Sequence, residues 1–415
     1  MKSKKPLFAI LLVVFIDLLG FSLILPLLPY YAKTFNASDT QIGLLTASYA
    51  AAQLIGAPIL GRLSDRYGRR PILLISVAGN AMGYVLLGLS QSLVMLFAAR
   101  ILAGATAANI SVAQAYISDV TDEKNRSKGL GMIGAAFGLG FIIGPAFGGL
   151  LSRFGYAVPA FLSAALGAFN LLLVMLWLPE SVTPERRAEL MRQKTTMTLS
   201  PAGLLAALRR PLVGPLLHTR FFFGMAFSLF QTIFTLYAIA RFNIDAQNTG
   251  LILAYVGVLS VFTQGFFVGK LTSLYPENRV ILVATIVLAA GLAGWAFATS
   301  VPMLLLVMAP TSVSAGILNT VINSAISKSV PPVEVGGMLG LAASLEALTR
   351  VIAPSMGGLL LDGITKRYGM FAGTAAPGIF AALLMTWLAS YLLRHFHTST
   401  PATQTPVSTG QPVER

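Results

Sequence analysis

The sequence has no cysteine and few charged residues. Without cysteine, disulfides, thiolate metal ligands and thiol nucleophiles are excluded. Charged residues make up 11% of the 415 residues, whereas 55% are hydrophobic. Soluble domains average about 25% charged residues, and a soluble helical core of this size would need charged faces on most of its helices. The composition therefore argues against a soluble protein and indicates a membrane protein.

Long apolar runs recur along the chain, and a run of about 20 residues is long enough to cross a bilayer as a helix. The twelve runs cover approximately residues 7–30, 41–61, 71–90, 93–117, 129–151, 157–178, 213–239, 250–269, 280–299, 302–327, 337–361 and 371–393. The first run follows a basic segment, but it carries Asp17 at its middle and lacks a small-residue cleavage site, so it is not a signal peptide. The sequence predicts an all-α polytopic membrane protein with twelve transmembrane helices.

The formal net charge of +14 does not indicate binding to nucleic acid. We attribute it to the orientation of the protein in the membrane. Basic residues of membrane proteins concentrate in cytoplasmic loops. With the amino terminus inside, the outer loops contain only these basic residues: Lys33, Arg153, Arg241, Lys366 and Arg367. This bias predicts that both termini are cytoplasmic.

The two halves of the sequence resemble each other. TFNASDTQIGLL at 34–45 matches RFNIDAQNTGLI at 241–252, and IGPAFGGLL at 143–151 matches IAPSMGGLL at 352–360. Such a repeat predicts two pseudo-symmetric six-helix bundles with a site between them near the bilayer midplane. The predicted domains are an N-terminal bundle (1–178), a cytoplasmic central linker (179–212), a C-terminal bundle (213–394) and a disordered cytoplasmic tail (395–415).

Five ionisable residues fall within the predicted spans, namely Asp17, Arg100, Arg220, Glu346 and Arg350. A charge at the bilayer centre costs about 3 kcal/mol or more, so each is a functional candidate. Asp17 and Arg100 are expected at mid-depth, where they can pair and where the carboxylate can exchange protons. Glu346 and Arg350 share a helix face and form either a second proton-coupling site or a self-neutralising pair. Arg220 is expected to extend towards the membrane interface.

Polar and aromatic residues recur at similar depths. The candidates for a substrate cavity are Phe21, Gln53, Ser111, Gln114, Gln231, Tyr255, Gln264, Asn319 and Asn323. Any one of the polar residues could simply connect helices, whereas the set indicates a cavity with polar and apolar walls.

Glycines are concentrated at 129–149. GLGMIG matches a dinucleotide-binding pattern, but a charged segment precedes it and an apolar helix continues through it, so a nucleotide site is not predicted. The spacing instead favours close helix packing, and Pro145 can bend the helix.

The charged segment GRLSDRYGRR, residues 61–70, is predicted to be a short cytoplasmic loop between helices 2 and 3. It resembles the loop motif of the major facilitator superfamily. The resemblance implies a gate latch formed by Gly61, Arg62, Asp65, Arg66, Gly68, Arg69 and Arg70. We expect Asp65 to precede helix 3, whose dipole favours an anion at its start.

Residues 7–395 resemble the drug:proton antiporters of this superfamily, and the tetracycline/proton antiporters most closely. Arg100 with Gly104 is similar to the helix 4 motif linked to proton transfer, and FIDLLGFSLILPLLP looks like helix 1 of these antiporters. The helix 5 motif typical of antiporters is matched by Gly131, Gly140, Gly144, Pro145, Gly148 and Gly149.

The resemblance implies a proton-coupled exporter that works by alternating access as a monomer in a bacterial cytoplasmic membrane. Its expected partners are protons, the lipid bilayer and an amphipathic organic compound, with a cation as one option. Two alternatives on the same fold are a lipid or glycolipid flippase and an exporter of a metabolite such as a sugar. No metal, cofactor or enzymatic activity is predicted, since no H-E-x-x-H, G-x-S-x-G or P-loop motif occurs.

Overall fold

The computed structural model describes residues 4–121, 123–183, 201–331 and 334–397. Twelve of its helical segments are long and apolar enough to cross a membrane. They are α1 (Lys4–Ile24), α2 (Asp39–Tyr67), α3 (Arg69–Gly88), α4 in two parts (Leu93–Thr106 and Asn109–Val120), α5 (Glu123–Leu151), α6 (Ala157–Trp177), α7 (Gly214–Phe242), α8 (Ala246–Phe262, then the π-turn Thr263–Phe267 and the helix Val268–Leu274), α9 (Glu277–Ala296), α10 (Val301–Lys328), α11 (Val335–Tyr368) and α12 (Met370–His397). Shorter helices cover Leu28–Lys33, Ser152–Phe154 and Pro201–Leu208. The described ranges contain no strand, so the predicted all-α membrane fold with twelve spans is confirmed.

The helices form two six-helix bundles, as the repeat predicted. In the first bundle α1 packs on α5 and α6, and α3 packs on α4 and α6; in the second, α7 packs on α11 and α12, and α9 packs on α10 and α12. The bundles meet where α2 packs on α11 and where α5 packs on α8. We call the end at which α1 begins the near end and the opposite end the far end. Because twelve spans return the chain to its starting side, α12 also finishes at the near end.

The predicted domain limits fall largely outside the described residues. Most of the central linker, at 184–200, and the tail beyond 397 are not described. Helix α12 continues to His397, three residues beyond the predicted end of the second bundle. The limits of the domains and the disorder of the tail stay predictions, as does the cytoplasmic orientation of the near end.

Equivalent helices of the two bundles begin with equivalent caps. Ser38 and Asp245 accept hydrogen bonds from the first turns of α2 and α8, and Ser92 and Ser300 do so for α4 and α10. The first amides of a helix have no partner within the helix, and such side chains supply one. The sequence repeat therefore fixes where four of the spans begin, all at the far end.

The charged segment 61–70 is not a loop, contrary to the prediction. Helix α2 continues through it to Tyr67, α3 begins at Arg69, and only Gly68 separates them. Gly68 has a φ of 107°, which glycine adopts at little cost because it has no Cβ. One glycine is enough to reverse the chain, so the flanking charges remain helical.

Candidate functional site

Asp17 lies in the middle of α1, as the sequence predicted, but it does not pair with Arg100. Its Oδ1 accepts hydrogen bonds from Asn80 Nδ2 at 3.1 Å and from Asn109 Nδ2 at 2.6 Å. Asn109 begins the second part of α4, directly after the break in that helix. Two neutral amides therefore donate to one carboxylate oxygen, and no described cation pairs with Asp17.

Arg100 is buried against aromatic rings instead. Its side chain is 3% exposed, and its guanidinium carbon lies 4.1 Å from the Tyr49 ring centroid and 6.0 Å from that of Phe21. Both distances permit a cation–π interaction. No hydrogen bond or ion pair connects Arg100 to another described residue, and its buried Nε has no partner. Asp17 and Arg100 therefore lie in two separate environments at similar depth and do not form the expected pair.

Aromatic rings form a continuous surface beside these two residues. Phe21 lies 5.4 Å from Tyr49 and 6.4 Å from Phe141, and Phe141 stacks on Phe137 at 5.0 Å. We call Phe21, Tyr49, Phe137 and Phe141 the aromatic wall. Only Phe21 was predicted to line the cavity.

Glu346 pairs with two arginines in the second bundle. One carboxylate oxygen contacts Arg220, and the other accepts from Arg350 Nη2 at 2.6 Å. Arg220 is buried and also donates to Asn319 Oδ1 at 2.8 Å. The expectation that Arg220 extends to the interface is therefore wrong: two polar partners hold its charge inside the bundle.

Loss of the Arg220 charge should destabilise the protein. Removing one partner of a buried ion pair costs roughly 3–5 kcal/mol because the other charge is left uncompensated. We expect Arg220→Gln to lower the thermal unfolding temperature of the purified protein substantially. Arg350→Gln is the matched control, since the Arg350 side chain is 52% exposed and its loss should lower that temperature much less. Equal losses in the two variants would contradict a structural role for Arg220.

The other predicted cavity residues divide into two groups. Some are engaged: Gln53 Nε2 donates to the carbonyl of Ala107 at the break in α4, Tyr255 donates to the carbonyl of Leu305, and Asn323 Nδ2 donates to the carbonyl of Asn319. The exposed ones are Ser111, Gln114, Gln231, Gln264 and Asn319. Of these, Ser111 also donates to the carbonyl of Ala108, and Asn319 also accepts from Arg220. Gln264 lies within the π-turn of α8, a feature that often marks functional sites. Their role in substrate binding stays a prediction.

The bundles touch backbone to backbone at the far end. A Cβ added to Gly43 of α2 would lie 2.3 Å from the carbonyl oxygen of Pro354 on α11, and one added to Gly250 of α8 would lie 2.2 Å from that of Pro145 on α5. These four residues belong to the repeated segments of the sequence, so the two contacts are equivalent. The repeat therefore encodes a paired closure of the far end.

Hydrogen bonds reinforce this closure. Asp362 at the end of α11 accepts from Thr40 N at 3.0 Å and from Thr40 Oγ1 at 2.7 Å, at the start of α2. Tyr30 donates to the carbonyl of Ile244 at 2.7 Å. Burial raises the pKa of Tyr30 to about 12, so the hydroxyl stays protonated and able to donate at physiological pH. Sequence analysis identified neither Asp362 nor Tyr30.

All hydrogen bonds observed between described residues of the two bundles lie at the far end. Three more join Tyr30 to Thr249, Thr40 to the carbonyl of Gly358, and Arg153 to Gln247. Close contacts continue to mid-depth, where Gly138 of α5 faces Val261 of α8. Among the described residues, the contacts between the bundles are therefore concentrated at the far end and continue to mid-depth.

The predicted glycine motif of α5 serves two surfaces. Gly140, Gly144 and Gly148 face α1, where a Cβ on Gly144 would lie 2.0 Å from Ser22 Oγ. Gly149 faces the start of α8, where an added Cβ would lie 2.9 Å from the carbonyl oxygen of Ala246. A Cβ added to Gly131 would have no neighbour within 4 Å. The motif thus lets α5 approach its own bundle and the opposite one.

The charged segment 61–70 makes its ion pairs within the first bundle. Arg69 is buried and pairs with Asp65 at 2.6 Å and with Asp119 of α4 at 3.2 Å. The Glu180 carboxylate accepts from the backbone N–H groups of Arg69 at 2.9 Å and Arg70 at 3.2 Å. The expected anion at the start of α3 is therefore Glu180 rather than Asp65, because Asp65 lies in the last turns of α2.

The remaining predicted members of the segment have local contacts or none. Arg66 lies over the ring of Tyr67 at 5.3 Å, and Arg70 Nη2 donates to the carbonyl of Met175 at 2.6 Å. Arg62 is exposed, and Gly61 has no neighbour within 4 Å of an added Cβ. None of these contacts reaches the second bundle, and the latch role of the segment stays a prediction.

This location yields a prediction for Asp65→Asn. If Asp65 contacts the second bundle only when the near end closes, its neutralisation should destabilise that closed state by about 1 kcal/mol. The population of the closed state should then fall roughly fivefold. The chain has no cysteine, so spin labels on Trp177→Cys and Tyr275→Cys, both exposed at the near end, report the distance directly. An unchanged distance distribution would mean that the charges act only on orientation.

Comparisons with known proteins agree with this architecture. The family model described as Major Facilitator Superfamily matches residues 10–301 and 216–412. The class H tetracycline resistance protein of Pasteurella multocida is 32% identical over 96% of this chain and 98% of its own length. Solute carrier family 22 member 18 of Rattus norvegicus is 30% identical over 80% of this chain and 82% of its own length.

Solved structures share the same fold. The human organic anion transporter MFSD10 has a TM-score of 0.68 at 24% identity, covering 94% of this chain and 99% of that one. A bacterial homologue of the lysosomal transporter Spinster, in an inward-facing and occupied conformation, has a TM-score of 0.78 at 16% identity over 96% and 98%. From its family match, its relatives and its paired bundles, this integral multi-pass membrane protein belongs to the Major Facilitator Superfamily.

Proposed function

We propose that the protein exports an amphipathic organic compound in exchange for protons, by alternating access. The space between the bundles is the transport path, and its near end faces the cytoplasm. The tetracycline resistance proteins among its relatives support efflux of an organic compound. The paired bundles and the far-end closure support movement of one bundle against the other.

The observation that carries proton coupling is the environment of Asp17. A carboxylate within a span is costly, and such residues recur in proton relays. Here the amides of Asn80 and Asn109 are its hydrogen-bond partners among the described residues. Because no described cation neutralises Asp17, uptake of a proton from the cavity removes the charge without breaking an ion pair. Proton exchange at Asp17 can therefore accompany the change of state.

The aromatic wall favours an amphipathic compound over a sugar. Glycosidic substrates need many polar wall residues, whereas Phe21, Phe137 and Phe141 offer apolar surface beside the charged centre. A lipid flippase needs the same apolar surface, so experiment must distinguish a flippase from an exporter of organic compounds.

Transport into proteoliposomes tests the proposal. Vesicles containing the protein, acidic inside, should accumulate tetracycline against its gradient, and nigericin, which collapses the pH gradient, should abolish this accumulation. Vesicles without protein correct for passive distribution of the drug. Accumulation that is unaffected by nigericin would contradict proton coupling, and protein-dependent movement of fluorescent lipid between leaflets without drug transport would favour the flippase.

The orientation is tested separately. Impermeant maleimide applied to intact cells should label Thr299→Cys at the far end and leave Tyr275→Cys at the near end unlabelled. Both positions are exposed. The reverse pattern would place the near end outside.

A further inference from the structure

The charges at mid-depth are unbalanced between the bundles. In the first bundle, Arg100 is almost completely buried and forms no ion pair with a described residue. A buried cation is normally paired, because an uncompensated charge in a medium of low dielectric constant is costly. The rings of Tyr49 and Phe21 compensate only part of that cost, since a cation–π contact is weaker than a direct ion pair.

The second bundle has an excess of positive charge. Glu346 is shared, with one oxygen on Arg220 and the other on Arg350. One carboxylate thus serves two guanidinium groups. Arg220 is buried and also held by Asn319, whereas the Arg350 side chain is 52% exposed. The positive charge that remains in excess therefore lies with Arg350, which faces open space.

The two guanidinium groups lie beside the same helix, α2. Arg100 lies over the ring of Tyr49 on α2, 4.1 Å from the ring centroid. Arg350 and Pro354 are four residues apart on α11 and share a face; Pro354 forms the backbone contact with Gly43 of α2. Arg350 therefore lies one turn below the far-end closure, on α11, which packs on α2, the helix that carries Tyr49 of the aromatic wall.

The charges at this depth favour an anion. The ionisable groups there are the carboxylates of Asp17 and Glu346 and the guanidinium groups of Arg100, Arg220 and Arg350, which leaves one positive charge in excess. The most exposed of them is the cation Arg350. A cationic ligand at this depth would meet an exposed guanidinium, whereas an oxyanion would be attracted to it.

We propose that the substrate is an amphipathic organic anion, with its carboxylate or sulfonate bound by Arg350 and attracted by Arg100. Its apolar body lies on the aromatic wall. A guanidinium can bind a carboxylate through two parallel hydrogen bonds, and such charge-assisted bonds are the strong ones. This inference rests on the proposed function, which identifies the space between the bundles as the transport path. It narrows the proposed amphipathic substrates to anions.

A matched pair of fluorescent compounds tests the sign of the charge. Dansylglycine and dansylcadaverine carry the same aromatic group, and they end in a carboxylate and an ammonium group respectively. Binding of each to the purified full-length protein is followed by dansyl fluorescence. We expect dansylglycine to bind saturably and at least tenfold more tightly than dansylcadaverine. Equal affinities, a preference for dansylcadaverine, or no saturable binding of dansylglycine would overturn the proposal.

Two substitutions locate the binding group. Arg350→Gln should weaken dansylglycine binding by about tenfold or more and leave dansylcadaverine binding equal or tighter, and Arg350→Lys should retain part of the affinity because it keeps the charge. Arg367→Gln is the matched control: the same residue type in the last turn of the same helix, where its guanidinium lies over Tyr368. Loss of dansylglycine binding in Arg367→Gln as large as in Arg350→Gln would overturn the assignment.

The binding assay separates this inference from the proposed function. It requires no pH gradient and no transport. Selective, Arg350-dependent binding of dansylglycine without gradient-driven transport would sustain the anion site and contradict proton-coupled export. Gradient-driven transport would support export. If the protein also preferred dansylcadaverine, and Arg350→Gln did not change that preference, the anion site would be contradicted.

Discussion

Asp17→Asn is expected to reduce gradient-driven accumulation of substrate to the level of vesicles without protein. Asparagine fits the same site and can accept the same hydrogen bonds from Asn80 and Asn109, so the fold should persist. It cannot take up or release a proton, so net coupled transport should stop. Exchange of labelled for unlabelled substrate across the membrane, which needs no net proton movement, should continue.

The matched control is Asp39→Asn. Asp39 lies at the far end, where its carboxylate pairs with Lys33 at 2.7 Å outside the mid-depth site. This variant should keep most of the gradient-driven accumulation. Near-normal accumulation by Asp17→Asn, or equal loss in both variants, would remove Asp17 from the coupling mechanism.

Gly43→Ala is expected to open the far end. The added Cβ would lie 2.3 Å from the carbonyl oxygen of Pro354, and because that atom belongs to the backbone it cannot rotate away. Overpacking of this kind costs typically 1–3 kcal/mol, which only the closed far end incurs. The population of that state should therefore fall by roughly fivefold to more than a hundredfold, and transport should slow because the cycle requires both states.

Spin labels on Gln91→Cys and Thr299→Cys, which lie in equivalent exposed far-end turns, measure this opening. In Gly43→Ala the distance distribution should move to longer values. Gly363→Ala is the matched control, since Gly363 is also at the far end of the interface and has no neighbour within 4 Å of an added Cβ. A far end that stays closed in Gly43→Ala, or opens equally in Gly363→Ala, would contradict the backbone contact.

The parts of the fold that sequence could predict are those encoded locally. Twelve apolar runs predicted twelve spans, and the repeated segments around Gly43 and Pro354 predicted two equivalent bundles. The repeat even contained the far-end contact, although only the structure shows that a glycine of one copy touches the proline of the other. The segment 61–70 was misassigned as a loop because its charges obscured that Gly68 alone can reverse the chain.

The partners of the buried charges could not be predicted. The prediction paired Asp17 with Arg100 because both lie at a similar depth. In the structure the break in α4 brings Asn109 to the Asp17 carboxylate, and no sequence pattern predicts that break. Arg220 was assigned to the interface by its distance from the helix end, whereas Glu346, on a helix more than 100 residues away, binds it. Such pairings depend on tertiary packing, and depth along a single helix does not determine them.

The most direct test of the account is one measurement of both ends of the molecule as pH changes. Distances for the far-end pair (Gln91 and Thr299) and the near-end pair (Trp177 and Tyr275) are recorded by double electron–electron resonance at acidic and alkaline pH. Alternating access governed by Asp17 predicts reciprocal changes, one pair lengthening as the other shortens, and predicts that Asp17→Asn abolishes them. Distances that change in the same direction, stay constant, or still respond to pH in Asp17→Asn would contradict it.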